Sequence, residues 1–220
     1  MLRETLPLSI ACALVSPAQA AGGHHAVDDA AILEAGQCQV ETWFDRSSGA
    51  ATRLWHAGPA CRVGSAELGL NLDATRSAGG GRTTVAGAQA KWAWPMSEQI
   101  HVGAVVGASW QDEAPRRVGS TVVIPLTWRV SDALQVHVNV GRDFLHAAPD
   151  AGRRGVAVEW SATPDWSFVA ERYRELHTHR WRLGARRALG ANASVDLSHA
   201  RGLGAAPSSW TLGLNWLFDR

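Results

Sequence analysis

The stretch Trp210-Thr-Leu-Gly-Leu-Asn-Trp-Leu-Phe-Asp-Arg220 decides the fold. Its large apolar residues take every second position, with small or polar residues between them: Trp210, Leu212, Leu214, Trp216 and Phe218 alternate with Thr211, Gly213 and Asn215. Because successive side chains of a β-strand point to opposite faces, one face of this stretch is wholly apolar and aromatic. The stretch therefore predicts a strand whose apolar face meets hydrocarbon or a protein interior.

The same period of two continues through most of the chain, and no long 3.6-residue pattern appears. Ile100, Val102 and Ala104, for example, alternate with His101 and Gly103. We predict twelve strands, at residues 37–46, 51–57, 61–76, 82–94, 99–111, 118–130, 133–145, 153–163, 165–175, 178–189, 191–200 and 208–219.

The connections between these strands are of two alternating kinds. Tight turns are predicted at residues 95–98, 131–132, 163–164 and 189–190, and longer Gly-, Pro- and charge-rich loops at 76–82, 112–118, 145–152 and 201–207. Transmembrane barrels alternate short turns at one end with longer loops at the other. The sequence therefore predicts an all-β fold, an antiparallel up-and-down transmembrane β-barrel of about 12 strands.

A soluble barrel of the lipocalin kind would show the same alternation, with its apolar face pointing inward. Twelve strands would leave an interior too wide for side chains to fill. The chain also contains eleven tryptophans, and nine of them fall in two groups along the strands. Trp92, Trp94, Trp128, Trp160, Trp166 and Trp216 lie near the tight turns, and Trp110, Trp181 and Trp210 lie near the loops. Two aromatic bands indicate two lipid interfaces and favour the membrane barrel.

The first twenty residues have the pattern of a secretory signal peptide. Arg3 precedes a short apolar run over residues 6–15, and Ala18-Gln19-Ala20 is a small-x-small cleavage site. We predict a signal peptide at residues 1–20, a flexible N-terminal segment at 21–36 and a single barrel domain at 37–220.

Together, the signal, the alternation and the closing strand resemble those of Gram-negative outer-membrane β-barrel proteins of the porin-like class. The last strand of such proteins alternates and closes on an aromatic residue, whereas here Asp219 and Arg220 follow Phe218. The resemblance covers most of the chain after residue 20. It implies a location in the cell outer membrane, contact with outer-membrane lipid, and passage of solutes through the barrel.

Three cysteines are present, and Cys12 lies within the predicted signal. The remaining pair, Cys38 and Cys61, is predicted to form a disulfide in an oxidising compartment. By the chain-entropy estimate it would stabilise the fold by about 3 kcal/mol. Two free, buried thiols are the alternative.

If the apolar face meets lipid, the other face lines a lumen with charges of both signs. The predicted lining residues are Lys91, Arg129, His137, Glu159, Glu171, Arg180, Arg182 and Arg186. An arginine column binds carboxylate or phosphate in bidentate fashion, which would suit acidic solutes. The alternative is that Arg180, Arg182 and Arg186 pair with the barrel's own glutamates and brace or plug the interior.

The N-terminal segment carries a further candidate site. His24, His25, Asp28 and Asp29 offer imidazole and carboxylate ligands for copper, nickel or zinc. The alternative is a plain polar tail, and no other cofactor is predicted. A formal net charge of +1 gives no reason to expect nucleic-acid binding.

Catalysis has little support in the sequence. No hydrolase, metalloprotease, phosphate-loop or dinucleotide motif is present. Ser198 and His199 are neighbours on one strand, so their side chains point to opposite faces and cannot form a dyad. The sequence predicts a passive channel for small polar or anionic solutes. The alternative is a non-conducting structural or metal-binding barrel.

Overall fold

The computed structural model describes residues 24–48, 52–204 and 206–219. The predicted signal peptide, residues 1–20, lies outside these ranges. The described chain forms twelve strands: β1 Gln37–Ser47, β2 Arg53–Val63, β3 Ala66–Arg76, β4 Arg82–Pro95, β5 Ile100–Gln111, β6 Arg117–Ser131, β7 Leu134–Leu145, β8 Ala151–Ser161, β9 Trp166–Glu175, β10 Thr178–Ala188, β11 Ala193–Gly202 and β12 Ser209–Asp219.

Every strand pairs antiparallel with its neighbours in sequence, and β1 pairs with β12 to close the barrel. The closing ladder runs from Gln37 opposite Asp219 to Ser47 opposite Ser209. The stretch around Trp210–Phe218 thus forms the strand on which closure depends. The predicted antiparallel barrel of twelve strands is confirmed. Among the described residues, no helix has the length and apolar content needed to cross a bilayer.

Ten of the predicted strands agree with the structure to within two residues at each end, but the boundary between β2 and β3 is wrong. The prediction ended β2 before Gly58 and Pro59, whereas the strand continues to Val63. The turn lies at Gly64, whose φ of 62° favours glycine. Pro59 is accommodated where the β2–β3 ladder is interrupted, between Ala57 opposite Leu72 and Ala60 opposite Gly69. A proline has no N–H to donate there, so it interrupts the ladder without ending the strand.

The polarity of the barrel is the reverse of that of a soluble protein. Large apolar side chains lie exposed on the outer face, including Val140 at 63%, Trp216 at 59% and Trp210 at 57%. Inside, His137, Glu159 and Asp196 are at most 2% exposed. Because the outer face is an almost continuous apolar surface, it fits a protein surrounded by hydrocarbon. The lipocalin alternative, with its apolar face inward, is excluded by this arrangement.

The predicted disulfide between Cys38 and Cys61 is present. The two cysteines are paired positions on β1 and β2. They therefore join β1, which pairs with β12 to close the barrel, to β2 at the end where the tight turns lie.

Candidate functional site

The lumen is occupied in part by the chain's own N-terminal segment. We call residues 24–36 the inner belt. The belt leads into β1 and follows the inside of the wall, contacting the strands in descending order. Its partners in turn are Ser198 of β11, Arg182 of β10, Glu171 of β9, Asn139 of β7, Thr127 of β6, Lys91 of β4, Glu67 of β3 and Arg62 of β2. The segment predicted as a flexible tail thus lies inside the barrel from residue 24 onward.

Side chains of the wall satisfy the backbone of the belt. The Glu171 carboxylate accepts from the N–H groups of Ala26 at 3.2 Å and Val27 at 3.0 Å. The Asn139 side-chain amide, oriented to satisfy both backbone groups of Asp28, donates to the Asp28 carbonyl at 2.8 Å and accepts from the Asp28 N–H at 2.7 Å. An extended segment without a paired strand needs such partners, because a buried unpaired backbone group is costly.

Two more wall residues hold the C-terminal half of the belt. The Thr127 hydroxyl accepts from the Ala30 N–H at 2.9 Å, and Glu67 accepts from the Leu33 N–H at 2.9 Å. These bonds come from β6 and β3, which are separated by two strands in the barrel. The belt is therefore anchored along its length rather than at one point.

Charge pairing fixes the middle of the belt. The Lys91 ammonium lies 2.8 Å from the Asp28 carboxylate and 3.1 Å from the Asp29 carboxylate. The side chains of Lys91 and Asp29 are each 7% exposed. A pair this buried is costly to break from one side, because the remaining charge would stay buried without a partner.

Glycines on the wall make room for the belt. A Cβ on Gly155 would lie 2.5 Å from Val27 Cγ2, and one on Gly184 would lie 3.0 Å from His25 Cε1. On Gly213 it would lie 3.0 Å from His24 Nδ1. Val27 is fully buried and packs with Val169 and Tyr173 of β9. The fit is therefore steric as well as polar.

Beside the belt, a cavity of about 1610 Å³ remains in the lumen. Its lining includes Trp43, Asp73 and Glu175 toward the loop end and Thr163 and Asn192 toward the tight-turn end. The described residues thus enclose a space, lined by both polar and apolar groups, that extends along the barrel and is not filled by the belt.

The wall formed by β1–β3 faces this cavity with a compact cluster. The His56 and Trp43 rings stack with centroids 3.5 Å apart, and His56 Nδ1 lies 2.6 Å from the Asp73 carboxylate. No motif in the sequence marks this cluster. The alternation of β3 predicts that Asp73 points inside, but the pairing of Trp43 with His56 depends on the register between β1 and β2.

Most of the predicted lining residues lie inside the barrel, where the barrel itself engages them. Arg186 Nε lies 2.5 Å from Asp196, and Arg182 lies 3.2 Å from Glu171. His137 Nδ1 contacts the Thr127 hydroxyl at 2.9 Å, and its Nε2 lies 3.5 Å from Glu159. These contacts correspond to the bracing alternative, in which lumen charges neutralise one another.

Two of the predicted lining arginines lie near the ends of the barrel. Arg129 is exposed near the tight turns and borders the cavity. Arg180 donates to the Pro207 carbonyl at 3.0 Å. Arg180 therefore holds the connection between β11 and β12 and does not continue a column with Arg182 and Arg186.

The four predicted metal ligands are divided between two places. His24 and His25 stack at 4.6 Å near β9–β11, whereas Asp28 and Asp29 bind Lys91. Burial lowers the pKa of His24 well below its usual range, with repulsion from His25 as the next cause, so its ring is neutral. Among the described residues, no three His, Cys, Asp or Glu side chains are grouped to hold a metal ion. Metal binding by these residues stays a prediction.

Ser198 and His199 point to opposite faces of β11. The Ser198 hydroxyl lies 2.6 Å from His24 Nε2 inside the barrel. The His199 ring lies on the outside, with its centroid 4.7 Å from that of Trp210.

Solved structures with a similar fold are outer-membrane barrels. The KdgM porin is 8% identical with a TM-score of 0.64, covering 81% of this chain and 98% of its own. The COG4313 outer membrane channel from Pseudomonas putida F1 is 11% identical with a TM-score of 0.61, covering 86% and 98%. The NanC porin is 8% identical with a TM-score of 0.62, covering 80% and 98%. At these identities the likeness concerns the fold.

No curated protein matches the chain. One family model does, over residues 10–218, and its description is "Uncharacterised conserved protein UCP029691". The match spans the whole barrel except the last residue of β12.

Proposed function

The chain belongs to the conserved protein family UCP029691, and we propose that it is an outer-membrane channel for the passive passage of small polar solutes. The single observation that carries this proposal is the cavity of about 1610 Å³ that extends along the barrel beside the inner belt. Charged and polar side chains line it together with apolar groups, while the outer face of the same strands is apolar. A polar passage across an apolar layer is what a passive channel requires.

The similar solved structures support the same proposal. Two are described as porins and one as an outer membrane channel. The KdgM porin has also been solved in complex with disordered oligogalacturonate. That acidic ligand supports the narrower expectation of anionic solutes.

The charges that border the cavity favour other solutes. Arg182 and Arg186 already face Glu171 and Asp196 and are not available as an anion ladder. The wall of β1–β3 that borders the cavity carries the carboxylates of Glu41, Asp45 and Asp73. Acidic side chains outnumber basic ones in the lining of the cavity, and a passage with an excess of one sign of charge concentrates the opposite sign. We therefore place neutral polar solutes and cations ahead of anions.

A flux measurement on liposomes tests the proposal. Purified barrel reconstituted in liposomes is expected to admit small sugars at a rate that rises with protein content. Under a KCl gradient, the reversal potential should have the sign of a cation preference. An anion preference would contradict the proposed selectivity while leaving the channel intact. Liposomes as tight as protein-free ones would contradict the channel itself.

The alternative is a non-conducting barrel, structural or metal-binding, and the inner belt is the observation in its favour. A segment anchored to strands all round the wall reduces the open cross-section. Tight liposomes together with Cu(II) or Zn(II) binding that is lost in His24→Ala/His25→Ala would support this alternative.

A further inference from the structure

Arginines form a continuous row on the outer face of the barrel where the loops begin. We define the arginine collar as Arg46, Arg53, Arg76 and Arg82, which lie at the loop ends of β1–β4 and are all exposed. The register pairs Arg46 with Arg53, Arg53 with Arg76, and Arg76 with Arg82. Four like charges thus lie side by side on four adjacent strands.

The collar faces away from the lumen. Arg46 is two residues from Phe44, and Arg53 is two residues from Trp55. Both aromatic side chains lie on the outer face, where Phe44 is 42% and Trp55 51% exposed. Since alternate residues of a strand share a face, these arginines border the apolar surface of the barrel. Long basic side chains at such a border keep their stems against apolar groups and extend their charges to the headgroup level.

The collar has no neutralising partner among the described residues. None of its four guanidinium groups takes part in an ion pair there, whereas Arg142, at the loop end of β7, pairs with Asp150. Like charges directly opposite each other on neighbouring strands are unfavourable. The repulsion between these arginines is reduced when anions bind between their side chains.

The opposite rim of the outer face differs. It presents tryptophans, including Trp94, Trp128 and Trp216, each at least 47% exposed. A basic residue on that rim, Arg187, has its guanidinium 5.6 Å from the Trp166 ring centroid. The two ends of the barrel are therefore electrostatically unlike, with the positive charge at the loop end.

We propose that the arginine collar binds the phosphate groups of anionic lipids in the leaflet that surrounds the loop end of the barrel. Guanidinium groups bind phosphate oxygens in bidentate fashion, and adjacent collar arginines can share one phosphate. The spacing favours a headgroup with more than one phosphate, because two neighbouring pairs of arginines are available. This inference rests on the barrel spanning a membrane, as the proposed channel does, but not on conduction.

Retention of lipid by the purified barrel tests the inference. The probes are lipid A, a glycolipid with two phosphates, and the same lipid with its phosphates removed. After incubation in detergent, native mass spectrometry counts the lipid bound to wild type, to Arg46→Gln/Arg53→Gln/Arg76→Gln/Arg82→Gln, and to Arg187→Gln as the matched control on the opposite rim. A heat-modifiability gel reports folding. Should the quadruple variant not fold, Arg53→Gln/Arg76→Gln replaces it.

Wild type and Arg187→Gln are expected to retain the phosphorylated lipid. The collar variant is expected to retain at most about one tenth as much, and a tenfold loss corresponds to about 1.4 kcal/mol in binding free energy. Millimolar inorganic phosphate should not displace the lipid, because the apolar border holds the acyl chains. Displacement of the lipid by phosphate alone would show a site for small anions and overturn the lipid proposal. Equal retention of lipid A by the collar variant and wild type would overturn it too, as would equal retention of lipid A and the dephosphorylated lipid by wild type. Conductance should be the same in the collar variant and wild type, so this result is separable from failure of the channel.

Discussion

At the scale of single residues, the lumen wall is shaped to the inner belt. Gly155 of β8 lies against Val27, where a Cβ would approach Val27 Cγ2 to 2.5 Å and Tyr173 Cβ to 3.0 Å. Gly152 of the same strand has nothing within 4 Å of such a Cβ. The two glycines therefore form a matched pair for measuring the fit.

We expect Gly155→Ala to lower the free energy of unfolding by about 1–3 kcal/mol, because the added methyl group overpacks the contact with the belt. Gly152→Ala should change it little or raise it slightly, since glycine within a strand is itself unfavourable. Urea titration of the barrel in lipid vesicles measures both. Equal effects of the two substitutions would show that the close approach of Val27 does not matter to stability.

Lys91 is the second position where one side chain has a large expected effect. In Lys91→Met the chain length is kept and the charge removed, which leaves Asp28 and Asp29 without their partner. Removing one member of a buried pair costs about 3–5 kcal/mol. We expect a loss of this size in the free energy of unfolding.

The control for Lys91 is an exposed ion pair. Arg142 lies 3.3 Å from Asp150, with its side chain 61% exposed. Arg142→Gln is expected to cost less than about 1 kcal/mol, as exposed pairs do. A cost for Lys91→Met as small as that of Arg142→Gln would mean that the belt is not anchored by charge.

At the scale of elements, the belt and the strands have separate roles. The strands close the barrel through β1 and β12 without help from residues 24–33. The belt narrows the space that the strands enclose. Removing the belt should therefore change passage and leave the barrel closed.

We expect deletion of residues 24–33 to raise the single-channel conductance and the size limit for sugars entering liposomes, because the volume of the belt is returned to the lumen. The deleted protein should still show the electrophoretic shift of a folded barrel on heating. Lys91→Gln/Glu171→Gln, which is designed to loosen the belt without removing it, is the companion variant. Unchanged conductance in the folded deletion protein would contradict a narrowing role for the belt.

The strands were predictable because each shows a period of two, and the period follows from one face meeting an apolar environment. Where this signal is interrupted, the prediction failed: Gly58-Pro59 resembles a turn, and only the register with β1 and β3 shows that the strand continues. The disulfide was predictable because Cys12 falls in the predicted signal peptide, which leaves Cys38 and Cys61 as one pair in an exported protein.

The path of the inner belt could not be predicted. Residues 24–36 have no periodicity, and their partners lie on strands as distant in sequence as β11. One signal was present in retrospect, namely glycines at lumen-facing positions of β8, β10 and β12. Glycine there indicates a close approach of another chain segment, but not which segment. The pairing of Arg186 with Asp196 could not be predicted either, because it depends on the register between β10 and β11.

At the scale of the whole molecule, the reversed polarity connects the fold to the proposed function. Apolar side chains cover the outside, ionisable side chains line the inside, and the interior charges are largely neutralised by one another and by the belt. The remaining cavity lies beside the belt. We expect this cavity to conduct.

Single-channel recording in a planar bilayer tests this claim most directly. Each insertion of the purified, folded barrel into the bilayer is expected to add a steady step of current in KCl, with a larger step for the protein lacking residues 24–33. The electrophoretic shift of protein recovered from the membrane shows whether the inserted barrel is folded. A folded, inserted barrel that adds no current would contradict the account.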